Sequence, residues 1–286
     1  MAPSFDIGMV TCPSYSELRP EDELVRQALQ QRGHSSGAVE WPSPEATVPP
    51  LVAGRALLVR ATWDYHFYPV QFRTWLEQLH NSPLMVWNSP ALMLWNMHKG
   101  YLIDLQAGGA SIVPTCLVRA GEQPPDSLWD GVMIAKPAVG AGARGAKMGG
   151  WEEIREHASQ LLTDEDVILQ PYQNSVETYG ERSLIFFEGQ FSHAVLRTWA
   201  IVEGQGLDRL MPRVEPSPAE LQVGLQALAC LKECPLYARV DLVADAQGTP
   251  RILELEVIEP RLFLLECPEA SQTLAEACHR RLLTLA

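Results

Sequence analysis

The segment "YARVDLVADAQGTPRILELEVIEP", residues 237–260, constrains the fold more than any other part of the 286-residue chain. Two strand-like runs flank a turn containing Gly248 and Pro250, and side chains on a strand alternate between faces. Arg239 and Asp241 therefore share one face of the first strand, and Glu254 and Glu256 share one face of the second. A turn centred on Gln247 and Gly248 sets Asp241 opposite Glu254 and Arg239 opposite Glu256. Val240, Leu242, Leu253 and Leu255 then point the other way, into a core. Acids are depleted in strands, and like charges opposite one another destabilise a sheet unless a cation neutralises them. Hard oxygen ligands at this density suit Mg2+ shared with substrate phosphates. The alternative is a solvated face with an Arg–Glu pair, but the regular interleaving of "ELEVIE" makes one face wholly acidic.

A second feature lies upstream, in "KPAVGAGARGAK" (136–147), where Gly140, Gly142 and Gly145 have the G-x-G-x-x-G spacing of dinucleotide folds. That reading needs the third glycine at a helix start, so that a pyrophosphate meets the helix N-terminus. Gly149 and Gly150 follow too closely for a good first helical turn. A P-loop fails as well, because Met148 rather than Ser or Thr follows Lys147. What fits is a strand-to-strand loop whose bare amides fold over phosphates, with Lys136 at its entrance as a point charge. A plain mobile surface loop is the alternative.

Around these features the chain reads as α/β. "FDIGMVT" (5–11), a helix over 20–33 and "GRALLVRAT" (54–62) form a βαβ pattern, followed by a helix over 69–81 and a short strand over 84–88. A helix over the 89–109 segment ends at Gly108-Gly109, after which "SIVPT" and "GVMIAKP" read as strands, then a helix over 151–162 and a strand over 167–172. A strand pair over 182–198, a helix over 217–232, the acidic hairpin and a C-terminal helix complete the chain. The expected division is residues 1–90, 91–172 and 173–286.

A formal charge of −13, from 22 basic and 35 acidic residues, argues against a nucleic-acid or anionic-membrane surface. Six scattered cysteines read as free thiols. The chain shows no secretory leader and no apolar run of the ~18 residues that span a bilayer, so a cytoplasmic location is expected. The oligomeric state is left open, a homodimer included.

Lysines and a glycine flap upstream of a carboxylate hairpin resemble the ATP-grasp carboxylate–amine ligases across essentially the whole chain. "WNMHK" (95–99), "IAKPAVGAGARG" (134–145), "LQPYQNSVETYGERSLIFFEGQFSHAVLRT" (169–198) and the hairpin carry the resemblance. With "RATWDYH" (60–66) and "FSHAV" they are similar, more narrowly, to the O-ureido-serine cyclo-ligase branch of D-cycloserine biosynthesis, beside glutathione-synthetase-like enzymes. The resemblance implies an N-terminal pre-ATP-grasp α/β domain and two ATP-grasp subdomains enclosing ATP. Lys99 and Lys136 would bind phosphates, and the loop from Gly140 to Gly145 would close over them. Backbone groups around Gln170, Pro171 and Tyr172 would read adenine, and Glu181, with Glu177 as competitor, would hold the ribose. Arg197 and Arg239 would touch phosphate or the activated carboxylate, and Asp241, Glu254 and Glu256 would hold two Mg2+ ions. Many members have Asn where Glu256 stands, and Arg261 occupies a position where closer relatives are expected to have a small residue. The implied activity is ATP-dependent C–N bond formation on a small amino-acid-like carboxylate, within one molecule or between two. Another phosphotransferase or carboxylase on this fold and a non-catalytic nucleotide-binding module are the alternatives. The aromatics of "TWDYHFY" are either interdomain packing or a wall of the acceptor pocket, with Arg60 and Asp64 as its polar anchors in the second case. His66 and His98 read as solvated, and His193 as either a core histidine or a substrate contact.

Overall fold

The structure, a computed structural model, describes residues 5–44, 56–140, 144–198 and 211–284. Twelve strands in these residues form three four-stranded sheets. The first sheet is parallel, in the order β2-β1-β3-β4, and comprises β1 (Ile7–Thr11), β2 (Ser36–Glu40), β3 (Ala56–Ala61) and β4 (Met85–Trp87). Helix α1 (Pro20–Gln31) connects β1 to β2, and α2 (Pro69–His80) connects β3 to β4. Strand β2 interrupts the expected βαβ unit. Its sequence, "SGAVE", is short and half-exposed on alternate residues, so it carries little apolar signal.

The helix expected across 89–109 is two helices, α3 (Pro90–Asn96) and α4 (Tyr101–Ala107). The break is made by His98, whose Nδ1 accepts the Gly100 amide at 3.0 Å, and by Lys99, whose amide donates to the Ala138 carbonyl at 2.7 Å. The second sheet is antiparallel, ordered β5-β8-β6-β7, from β5 (Cys116–Val118), β6 (Met133–Pro137), β7 (Lys147–Gly149) and β8 (Val167–Pro171), with α5 (Trp151–Leu161) against it. "SIVPT" is not one of its strands. Ile112 instead makes an isolated parallel bridge to Ile252, far along the chain.

The third sheet is ordered β10-β9-β11-β12, every neighbour antiparallel: β9 (Glu181–Phe187), β10 (Gln190–Arg197), β11 (Tyr237–Ala244) and β12 (Pro250–Glu256). Helices α6 (Pro218–Ala229) and α7 (Ala270–Leu283) flank it. One face is apolar: Leu184, Phe186, Val240, Leu242, Ile252 and Leu255 are buried with Val223 and Ala227 of α6 and Leu102 and Leu105 of α4. Each such side chain removed from water stabilises the fold by about 1.5–3 kcal/mol. The cluster fixes the orientation of the hairpin and leaves the opposite face for polar groups.

The hairpin pairs Asp241 with Glu254 and Arg239 with Glu256, as its alternation implied. The turn alone does not produce that register. Nearer the turn Leu242 pairs with Ile252, and a bulge at Leu253 shifts the ladder by one residue before Glu254. A one-residue slip exchanges the faces of a strand, so the bulge is what carries Glu254 and Glu256 to the polar side. Leu253 itself is half-exposed, and Ile252 takes the core place expected for it.

Candidate active site

On the polar face Asp241, Glu254 and Glu256 each offer an oxygen, and these three atoms lie within 4.8 Å of one another. Asp241 is buried and the two glutamates are half-buried. All-oxygen donors at this spacing fit a hard divalent cation such as Mg2+. Basic side chains already neutralise the face. Lys99 Nζ donates to Glu254 at 2.6 Å and to the Gly140 carbonyl at 3.0 Å. Arg239 donates to Asp241 at 2.8 Å and also to Glu256. Arg197 pairs with Glu181 and reaches Asp241 at 3.4 Å, and Ser183 donates to Asp241 at 2.6 Å. The Arg–Glu pair considered from sequence is therefore present, within an acidic cluster rather than on a solvated face.

The electrostatics follow from burial and these pairs. Burial opposes charge on Glu254, but Lys99 and Lys136 outweigh it and hold its carboxyl down to about 2. Burial, with Glu254 and Asp241 nearby, pushes Glu256 up in spite of Arg239. Lys136 has no salt bridge among the described residues; burial, with Lys99 nearby, brings its ammonium down to about 8. Lys99, with Glu254 against it, moves upward despite its burial.

The free edge of β12 is closed by side chains. Tyr101 Oη accepts the Leu255 amide at 3.0 Å, Asn96 donates to the Leu255 carbonyl at 2.9 Å and accepts the Val257 amide at 3.0 Å, and Asn88 donates to the Val257 carbonyl at 2.8 Å. These contacts satisfy buried backbone groups that an edge strand would otherwise leave open. They also tie the strand bearing Glu254 and Glu256 to the helices that carry Lys99. Asn88, Asn96, Tyr101 and Ser183 escaped the sequence reading; the only available signal was the polar residue inside "WNMHK", and its partner is backbone, which leaves no mark in sequence.

The second sheet supplies the facing wall. Met133, Ala135, Val167 and Leu169 are buried together beneath it, so the alternate residues Ile134, Lys136, Ile168 and Gln170 share its other face, paired Ile134 to Gln170 and Lys136 to Ile168. Gln170 donates to Thr115 at 2.9 Å. The Tyr172 amide donates to Val132 at 2.9 Å and the Pro171 carbonyl accepts from Gln173 at 3.1 Å, so both backbone groups already have partners. Gly145 has φ +67°, and a Cβ there would come within 2.9 Å of Pro137, which explains a glycine at that position. Gly140 receives Lys99, whereas Gly142 lies outside the described residues. Glu177 is exposed and accepts from the Tyr172 hydroxyl at 3.1 Å; Glu181 stands at the start of β9, paired with Arg197.

Two expectations are corrected. Arg60 is fully buried and bound to Asp22 at 2.8 Å, Glu21 at 3.4 Å and the Pro260 carbonyl at 3.2 Å, and Asp64 accepts from Trp41 at 2.7 Å. Arg60 therefore anchors structure rather than lining an open pocket, while Asp64 is half-buried with Trp41 as one partner. His66 is half-buried, and His98 is half-buried and bonded to Asp166 at 3.0 Å, so neither is freely solvated. His193 is a core histidine: 3% exposed, bonded to the Leu262 carbonyl at 2.9 Å, and brought down to about 4 by burial.

Comparison with known proteins agrees with this architecture. The family described as D-cycloserine synthetase DcsG, N-terminal domain, matches residues 7–88. The cycloserine biosynthesis protein DcsG of Streptomyces lavendulae is 29% identical, over 86% of this chain and 86% of that protein. The crystal structure of D-cycloserine synthetase DcsG superposes with a TM-score of 0.80 at 24% identity, covering 96% of this chain and 99% of the other. D-alanine–D-alanine ligase from Bacillus anthracis, complexed with ATP, gives 0.70 at 14% identity over 99% and 98%. With a DcsG-type N-terminal region joined to this fold, the chain is similar to DcsG along most of its length and shares the fold of D-cycloserine synthetase DcsG and D-alanine–D-alanine ligase.

Proposed function

We propose that the enzyme activates a small amino-acid-like carboxylate with ATP as an acylphosphate and closes a C–N bond onto it. O-ureido-serine or a related compound, cyclised within one molecule, is the favoured substrate class. The carrying observation is the three-carboxylate hairpin facing Lys99 and Lys136 across one cleft. Lys99 and Lys136 hold the phosphates, with the loop from Gly140 through Gly142 to Gly145 covering them. Gln170, Pro171 and Tyr172 border the base, and Glu181, or Glu177 beside Tyr172, receives the ribose. Asp241, Glu254 and Glu256 would hold two Mg2+ ions, which neutralise charge on the transferring phosphoryl group. The substrate carboxylate oxygen attacks the γ-phosphorus and ADP leaves; the nitrogen then adds to the acyl carbon and phosphate departs. Arg197 and Arg239, held in place by Glu181, Asp241 and Glu256, would steady the oxyanion of the second step. Three units, 1–90, 91–172 and 173–286, divide this work, one sheet to each. Six free cysteines suit a reducing, cytoplasmic setting. ADP production across a panel of amino acids, O-ureido-serine and dipeptides, with products read by mass spectrometry, tests the reading; no ADP release above the substrate-free rate with any member refutes it.

A further inference from the structure

Among the described residues five acids are buried: Glu21, Asp22, Glu220, Asp241 and Glu259. Four have a cation at ion-pair distance. Glu21 and Asp22 meet Arg19 at 2.7 and 2.8 Å, Glu220 meets Arg182 at 2.8 Å, and Asp241 meets Arg239 at 2.8 Å. Glu259, 8% exposed, has no ion pair among the described residues. A buried carboxylate without a counter-ion is costly, and burial, with Glu256 adding to it, pushes this carboxyl up to about 8.

Its placement makes the missing cation informative. The backbone around Glu259 is fixed to the first sheet, because Trp63 Nε1 donates to the Glu259 carbonyl at 2.9 Å and Arg60 to the Pro260 carbonyl at 3.2 Å. Its carboxyl lies close enough to Glu256, Lys99 and Arg239 to respond to their charges, and it is the foremost charged influence on the buried Tyr65 hydroxyl. Glu259 thus stands between the phosphate-and-metal end of the cleft and the carboxyl edge of the parallel sheet, the side on which open α/β sheets take ligands.

We propose that Glu259 forms the subsite for a cationic amine of the substrate, so that the carboxylate activated beside Glu254 and Glu256 belongs to an amino acid with its amine free. The inference rests on the ligase reading and narrows its substrate class. An ammonium group supplies the counter-ion that the other four buried acids obtain from arginine.

Calorimetry tests this on the full chain loaded with a non-hydrolysable ATP analogue and Mg2+. The probes are serine, alanine and O-ureido-serine, each in both enantiomers, and their counterparts with the amine replaced by hydrogen. In the unmodified enzyme at least one amine-bearing probe is expected to bind roughly 10- to 100-fold more tightly than its counterpart. E259Q, which keeps the side chain's size, should remove most of that preference and leave binding of the ATP analogue unchanged, and E259D should restore part of it. If no amine-bearing probe outbinds its counterpart, or if E259Q keeps the preference, the subsite is wrong. ADP release on an amine-bearing carboxylate, equal in E259Q and the unmodified enzyme, overturns the amine subsite while the ligase reading stands.

Discussion

Replacing Glu254 by Gln separates the structural part of the acidic face from its chemical part. Lys99 Nζ lies 2.6 Å from Glu254, with the two side chains 14% and 27% exposed. The carboxyl is held from 4.5 down to about 2, burial opposing and Lys99 the chief favourable partner. At ~1.36 kcal/mol per unit this corresponds to about 3 kcal/mol of folding free energy, which partial solvent screening reduces to about 2 kcal/mol. The folded-state pKa is depressed, so the contribution is fully present above pH 4.5 and fades as pH falls toward 2. E254Q should therefore lower the melting temperature at pH 7 by roughly 4–8 °C, because it leaves the Lys99 ammonium half-buried without its counter-charge. Adding K99M removes that stranded charge, so the double variant should recover most of the loss. Neither change should restore turnover, and ADP release should stay down by about 100-fold. Thermal melts at pH 7 and denaturant titrations at pH 3 and pH 7 read the structural part. An E254Q protein that melts with the unmodified enzyme at pH 7, or a stability gap as large at pH 3 as at pH 7, would refute the pairing argument.

ATP binding should require Mg2+, since half-buried carboxylates facing a triphosphate repel it; equal affinity in excess chelator, read by calorimetry, would sink the metal assignment. K99M should weaken ATP binding and tighten Mg2+ binding without nucleotide, because it releases Glu254, and a parallel loss of both would contradict this. Asn96→Leu strands the Leu255 carbonyl and the Val257 amide, each costing about 1–3 kcal/mol, so its melt should drop by several degrees along with ADP release. With Lys136 at about 8, kcat/KM should fall as pH rises past that value, and Lys136→Arg, charged throughout, should remove the falling limb from the pH profile.

The hairpin was legible from sequence because alternation along a strand is a strict rule: Arg239, Asp241, Glu254 and Glu256 do share a face, and Val240, Leu242 and Leu255 do enter the core. The bulge at Leu253 was not legible. A bulge is one residue out of register and changes no composition, so the expected pairing was reached by a different route. Strand β2 and the break between α3 and α4 escaped for a related reason, since the first depends on pairing with β1 and the second on a carbonyl 39 residues away, at Ala138. Arg60 reads as a pocket anchor in sequence because its partners Glu21 and Asp22 open a separate helix, where acids are ordinary. Their carboxylates face inward instead, toward Arg19 and Arg60.

The charges of the cleft explain why the fold can keep so many acids together before any ligand arrives. Glu181, Asp241, Glu254, Glu256 and Glu259 lie among Lys99, Lys136, Arg197 and Arg239, so the face is close to neutral as folded. The two lysines differ from the arginines in a way that follows from their attachments. Arg197 and Arg239 sit on the same sheet as the acids they bind, and their planar forks bridge two carboxylates each, so they act as fixed parts of the face. Lys99 reaches Glu254 from the turn between α3 and α4, and Lys136 comes from the opposite sheet with no salt bridge among the described residues. On the ligase reading, a phosphate anion entering the cleft would draw both lysines without disturbing the arginines, and what Lys99 would give up is the carboxylate that a divalent cation would use. On the proposed ligase reading, nucleotide and metal would therefore relieve each other's cost at Glu254, while Tyr101, Asn96 and Asn88 hold β12 in place.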